Sequence, residues 1–145
     1  MNTDILFELV EQYDIITIYR HVSPDADALG SQFGLKQWIQ DKQVYALGRD
    51  AGSKQSLFPD MDIADDETVA VSLAIILDTA NGARVDDERW STAAYTLKID
   101  HHIIVERFAD VEVVEDLFGA TCEMLAYMFE QKKLVLSARC AQYLY

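Results

Sequence analysis

A chain of 145 residues, half of them hydrophobic, has room for one domain with a real core and too little for two. Its formal net charge of −13, with no cluster of Lys or Arg to offset it, argues against broad binding to duplex nucleic acid. No apolar run approaches the roughly 20 residues needed to span a bilayer, which argues against a membrane partner. The N-terminus lacks the basic flank and apolar core of a signal peptide, so the expected compartment is the cytoplasm.

Residues 4–12 carry Ile5, Leu6, Leu9 and Val10 at helical spacing, with Asp4 as the candidate cap. Ile15-Ile16-Thr17-Ile18-Tyr19 reads as a short buried strand. After the turn His21-Val22-Ser23-Pro24-Asp25-Ala26-Asp27, the residues Leu29, Phe33, Leu35, Trp38 and Ile39 read as one face of a long helix. Val44 to Leu47 is a second strand, closed by Gly48. From Arg49 to Glu67 the pattern is that of a loop, with a short helix expected around Lys54 to Phe58. The acids Asp60, Asp62, Asp65, Asp66 and Glu67 read there as a solvated run, and Arg49 and Lys54 as surface ion-pair formers ahead of phosphate contacts.

Val69 to Leu77 is the most apolar stretch and is bounded like a central strand, ending at Asp78-Thr79-Ala80-Asn81-Gly82. A weak helix is expected over Val85 to Trp90. Tyr95 to Ile99 is a fourth strand, ending at Asp100-His101-His102, and Val111 to Val114 a short fifth. Gly119 to Gln131 carries Met124, Leu125, Tyr127 and Met128 at helical spacing, and Ser137 opens a further helix. Cys122 and Cys140 fall in these helices without a partner spacing and read as reduced core thiols. Strands alternating with helices predict an α/β fold, an open, mostly parallel five-stranded sheet with helices on both faces. Right-handed crossovers bring all the strand carboxyl ends to one edge.

At that edge three strands end in acids or imidazoles: the first at His21, Asp25 and Asp27, the third at Asp78, the fourth at Asp100, His101 and His102. The chain has three histidines, and all three fall there. Taken singly, each turn has a plain reading: Asp25 and Asp27 as helix caps, Asp78 as a turn former, His21 as a core or surface residue. Taken together, that reading leaves several carboxylates and imidazoles at one edge with nothing to neutralise them. Oxygen and nitrogen ligands without cysteine favour Mn²⁺ or Mg²⁺, with Co²⁺ next, over structural zinc. The ligands exceed one ion's needs. Two ions about 3.5–4 Å apart, sharing a carboxylate, would activate a water and neutralise phosphoryl oxygens during in-line displacement.

These motifs resemble the DHH phosphoesterase superfamily, over essentially the whole chain: His21-Val22-Ser23-Pro24-Asp25-Ala26-Asp27-Ala28-Leu29-Gly30-Ser31, then Ile76-Leu77-Asp78-Thr79, then Asp100-His101-His102. Within it, Ala28-Leu29-Gly30-Ser31 and Thr121-Cys122-Glu123-Met124 are similar to the branch of nanoRNA-degrading oligoribonucleases and 3′-phosphoadenosine-5′-phosphate (pAp) phosphatases. Gly119-Ala120 departs from it, small hydroxyl residues being commoner there. The resemblance implies a Rossmann-like DHH domain in which His21, Asp25 and Asp78 hold one metal ion and Asp27, Asp78 and His101 a second, Asp78 bridging. It implies that His102 faces the scissile phosphate as a donor and that Asp100 orients a histidine. With a metal-activated water as nucleophile, no Ser or Cys nucleophile is needed. The implied substrate is a small nucleotide or short single-stranded RNA, and the oligomeric state is open, a homodimer included.

The family carries a further metal-binding aspartate and a C-terminal DHH-associated substrate domain that have no counterpart in these residues, so the expectation is of the N-terminal piece of a longer protein. Two alternatives compete. A family II type inorganic pyrophosphatase or exopolyphosphatase shares the triplet, although its first motif usually runs from the second aspartate straight into serine, where Asp27 is followed here by Ala28-Leu29-Gly30. A non-catalytic metal- or partner-binding module would keep the ligands alone.

Overall fold

The structure, a computed structural model, describes residues 1–49 and 57–145. Five strands, β1 (Ile15–Tyr19), β2 (Gln43–Ala46), β3 (Leu73–Leu77), β4 (Tyr95–Asp100) and β5 (Val111–Val114), form one open sheet in the order β2-β1-β3-β4-β5. Every pairing is parallel: Ile15 faces Gln43, Ile16 faces Leu73, Leu73 faces Tyr95 and Leu97 faces Val111. The open α/β sheet expected from the alternation of strands and helices is the one that forms. The chain leaves β1 outward to β2 and returns on the other side to β3, so the loops after β1 and β3 diverge. A crevice opens at that point, where ligands bind in folds of this kind.

Among the described residues five α-helices accompany the sheet: α1 (Ile5–Gln12), α2 (Ala26–Trp38), α3 (Asp66–Ala70), α4 (Thr121–Gln131) and α5 (Ala138–Leu144). Ile16, Ile18, Leu73, Ile75, Leu77, Leu97 and Ile99 point to one side, where they pack with Leu6, Leu9, Leu35, Met124, Leu125, Met128 and Leu144 of α1, α2, α4 and α5. Tyr19, Ala74 and Ile76 point to the other, against Val69 of α3 and the irregular segment bearing Val85 and Trp90. Helices cover both faces, but unequally. β3 is buried along its whole length, which is why it reads as an unbroken apolar run.

The structure differs from the sequence reading at several elements. Val69 and Ala70 belong to α3 and not to the third strand, because the Asp65 side chain accepts from Thr68 N at 2.8 Å and starts a helical turn there. The helix expected over Val85 to Trp90 is two 3₁₀ turns, Gly82–Arg84 and Glu88–Thr92, with Val85 extended between them and Asp87 capping the second. Asp4 makes no side-chain cap; Asn2 Oδ1 accepts from Asp4 N and Ile5 N instead, at 3.0 and 3.2 Å. The acidic run is not merely solvated. Asp62 pairs with Lys36 at 2.5 Å and accepts from Ala46 N, and Asp66 pairs with Arg89. Most of the helix expected around Lys54 to Phe58, and Lys54 itself, lie outside the described residues.

The single apolar face expected of α2 is two faces. Leu35, Trp38 and Ile39 join the main core, while Leu29 and Phe33 pack with Ala46, Phe58 and Tyr143. Between them Gly30 and Gly34 face α5. A Cβ on Gly30 would lie 2.5 Å from the Tyr143 carbonyl oxygen, and one on Gly34 2.5 Å from Leu144 Cδ2. These two glycines let α5 close on the helix that carries the first motif. Cys122 and Cys140 are buried free thiols. No helix among the described residues is long and apolar enough to cross a membrane.

Candidate metal centre

The site is assembled at the carboxyl ends of three adjacent strands, β1, β3 and β4. Beyond β1 the buried Arg20 pairs with Asp86, and His21 forms an isolated antiparallel bridge with Val85. His21 Nδ1 lies 2.6 Å from the Val22 carbonyl oxygen and donates to it, which turns Nε2 towards the cluster. That Nε2 is 3.5 Å from Asp78 Oδ2 and 3.8 Å from Asp25 Oδ1. Asp25 is the N-cap of α2, accepting from Ala28 N at 2.8 Å. The same Asp25 oxygen thus caps α2 and stands nearest His21.

Asp78 stands at the centre. It is 1% exposed and has a φ of 55°, the left-handed conformation that Asp and Asn adopt more readily than other residues with a side chain. Its backbone N–H donates to the Ile99 carbonyl on β4. One oxygen faces His21; the other is 3.3 Å from His101 Nε2 and 3.7 Å from His102 Nδ1. Burial pushes the Asp78 carboxyl up to about 6, opposed by the His21 contact and reinforced by the charges of Asp27 and Asp25. The Asp78 carboxylate in turn raises His21, against the effect of burial.

From the end of β4, His101 Nε2 also lies 3.6 Å from Asp27 Oδ2, in the first turn of α2. His102 Nδ1 lies 2.7 Å from Asp100 Oδ1, and the two imidazole rings are 4.3 Å apart at their centres. Two trios have ligand atoms within 4.8 Å of one another, His21-Asp25-Asp78 and Asp78-His101-His102, each able to hold a metal ion. Asp78 belongs to both. All seven residues singled out in the sequence thus gather at one edge, with His102 standing in the second trio beside His101. The donor set fits hard divalent cations. It is carboxylate and imidazole with no thiolate, and burial keeps the nearby Cys122 thiol protonated.

Other residues that the sequence analysis did not place at the site support it. Thr121 N and Cys122 N, at the start of α4, each donate to an Asp27 oxygen at 2.9 Å, and the Thr121 hydroxyl donates to Asp78 Oδ1 at 3.3 Å. The positive end of α4 is thereby aimed at the cluster. Lys98, wholly buried, has its ammonium 3.9 Å from Asp100 and 3.8 Å from Glu112, and donates to the Ala80 carbonyl. It offsets two buried carboxylates, one of which holds His102. Arg49, weighed for a phosphate contact, forms an exposed pair with Glu88 at 2.7 Å. A cleft of about 350 Å³ opens over the cluster, lined by His21, Asp25, Asp78, Ala80, Asn81, Arg84 and His102.

Comparison with known proteins gives the same outline. The profile of the DHH family, N-terminal domain, matches residues 15–145. An uncharacterised protein of Mycoplasma genitalium is 40% identical over 145 residues, covering 94% of this chain and 44% of that protein. A Streptococcus mutans protein named as a probable bifunctional oligoribonuclease and PAP phosphatase, NrnA, is 36% identical over 140 residues, covering 94% and 45%. An exopolyphosphatase-related protein from Bacteroides fragilis has the same fold at a TM-score of 0.84 and 24% identity, covering 99% of this chain and 47% of its own. The chain spans less than half the length of each.

Proposed function

The chain belongs to the DHH family, and from that premise we propose that it is the ligand-bearing part of a metal-dependent phosphoesterase, a hydrolase acting on short oligoribonucleotides, pAp or related small nucleotides. The observation that carries this reading is the buried Asp78 carboxylate, whose two oxygens face His21 and His101 at 3.5 and 3.3 Å. In this reading His21, Asp25 and Asp78 hold one divalent ion and Asp27, Asp78 and His101 another, Mn²⁺ before Mg²⁺ or Co²⁺. When bound, such ions polarise a phosphoryl group and acidify a water.

The remaining chemistry belongs to the chain. Asp100 accepts the His102 Nδ1–H and fixes the ring. With its second nitrogen protonated, His102 then donates to the phosphoryl group or its leaving oxygen in the cleft. Asp27, gripped by two amides of α4, is held still while it ligates. Similarity to the Streptococcus mutans protein supports the nucleotide class of substrate. A cytoplasmic setting, and a substrate-gripping domain supplied by the remaining length seen in the relatives, belong to the same proposal.

The test is Mn²⁺ calorimetry on this chain and on Asp78→Ala, together with hydrolysis of pAp and a diribonucleotide by the longest available form of the protein. Two ions bound by the wild type, none by the variant, and release of phosphate or mononucleotide support the reading. Hydrolysis of pyrophosphate or polyphosphate in preference to nucleotides gives the alternative that shares the triplet. Metal binding without any hydrolysis makes the chain a binding module, and wild-type levels of binding by Asp78→Ala remove the bridging role.

A further inference from the structure

The cleft over the metal centre has a basic wall. Arg84 lines the same hollow as His21, Asp25, Asp78 and His102. Its side chain is exposed and, among the described residues, enters no ion pair and no hydrogen bond. Other arginines of the chain are spent on carboxylates: Arg20 on Asp86, Arg49 on Glu88, Arg89 on Asp87 and Asp66. With 25 acidic residues against 12 basic ones, this arginine stands beside a carboxylate cluster and pairs with none of it.

Its backbone is fixed to the frame of the site. Val22 N donates to the Arg84 carbonyl at 2.8 Å, Arg84 N donates to the Asn81 carbonyl at 3.2 Å, and Asp86 N donates to the Arg20 carbonyl at 3.0 Å. His21, a ligand, and Val85 form the bridge between these bonds. The base of the Arg84 side chain therefore moves with His21. A guanidinium cannot ligate a cation and is repelled by one, so beside a loaded centre it is suited to an anion seated between them. Its planar fork matches two oxygens of a phosphate.

We propose that Arg84 is a substrate-binding residue whose guanidinium grips non-bridging oxygens of the phosphoryl group seated in the cleft between His21, Asp78 and His102. The proposal rests on the phosphoesterase reading and adds to it the residue of this chain that recognises the anion. Phosphomonoesters, phosphodiesters and free phosphate share that chemistry, so inorganic phosphate is a sufficient probe.

The test is calorimetry in two stages, Mn²⁺ into the wild type, Arg84→Met and Arg84→Lys, then inorganic phosphate into each Mn²⁺-loaded protein. Mn²⁺ affinity is expected to stay within about twofold in both variants, since no ligand is touched. Phosphate affinity is expected to fall about tenfold or more in Arg84→Met, the loss of charge-assisted hydrogen bonds, and to recover in part in Arg84→Lys. Equal phosphate affinity in wild type and Arg84→Met overturns the proposal. So does the absence of phosphate binding by the Mn²⁺-loaded wild type, or a collapse of Mn²⁺ binding in Arg84→Met. Failure of the wild type to bind Mn²⁺ overturns instead the reading beneath it.

Discussion

Thr121 donates its hydroxyl to Asp78, joining the first residue of α4 to the carboxylate at the end of β3, at 3.3 Å. Thr121→Val keeps the shape and removes the donor. Mn²⁺ affinity is expected to fall about tenfold, the usual scale for a partner that orients a metal ligand, with the circular dichroism spectrum unchanged. Unchanged affinity would leave Thr121 as a packing residue only.

Proton linkage gives a second test. The Asp78 carboxyl, pushed up to about 6 from its ordinary 3.8, and His21, raised by its contact with Asp78, both hold protons more tightly when folded. Such groups contribute stability that is complete below the unfolded value and lost as pH rises through the folded one. In EDTA the chain should therefore lose stability through Asp78 as pH rises from 3.8 to about 6, with His21 extending the loss above its ordinary 6.5. Mn²⁺ competes with those protons, so in its presence the dependence should reverse. Thermal melts across this range, with and without the ion, read both slopes. An Asp78→Asn variant with the wild-type slope would assign the effect elsewhere.

His102→Ala separates binding from chemistry. If His102 acts on the phosphoryl group and not on an ion, the variant should retain most Mn²⁺ binding while hydrolysis slows by about 10²–10⁴-fold. Asp100→Asn should show a smaller loss of the same kind. Loss of an ion in His102→Ala would place His102 among the ligands, as its presence beside Asp78 and His101 allows.

Gly30→Ala tests the packing of α2 on α5. Its Cβ would meet the Tyr143 carbonyl oxygen at 2.5 Å, a backbone atom that moves only with its helix. A destabilisation of about 1–3 kcal/mol is expected in urea unfolding, typical of overpacking. A stable variant would mean that α5 docks loosely enough to shift.

The residues of the site were legible in the sequence because parallel strands force their ends together: His21, Asp78 and His101 needed only the correct strands to be found. The rest depended on approach in three dimensions. Nothing near Thr121 or Cys122 signals that their amides meet Asp27, which lies 94 and 95 residues earlier. Lys98 lies within the fourth strand with no sequence sign of its role, which depends on the Asp100 and Glu112 carboxylates beside it. The apolar run places the start of β3 too early because Val69 and Ala70 continue it, while the cap that makes them helical comes from the Asp65 side chain.

The pairing of Leu73 with Tyr95, and so of Leu77 with Ile99, has a consequence at the edge. A slip of one residue between β3 and β4 would carry His101 about 3.3 Å along its strand and turn it to the opposite face, away from Asp78. The spacing of these acids and imidazoles is therefore set by the register of buried aliphatic strands that lie outside the cluster. Leu73, Ile75 and Leu77 act as the ruler of the candidate site, and repacking them should alter any selectivity among cations before it alters the fold.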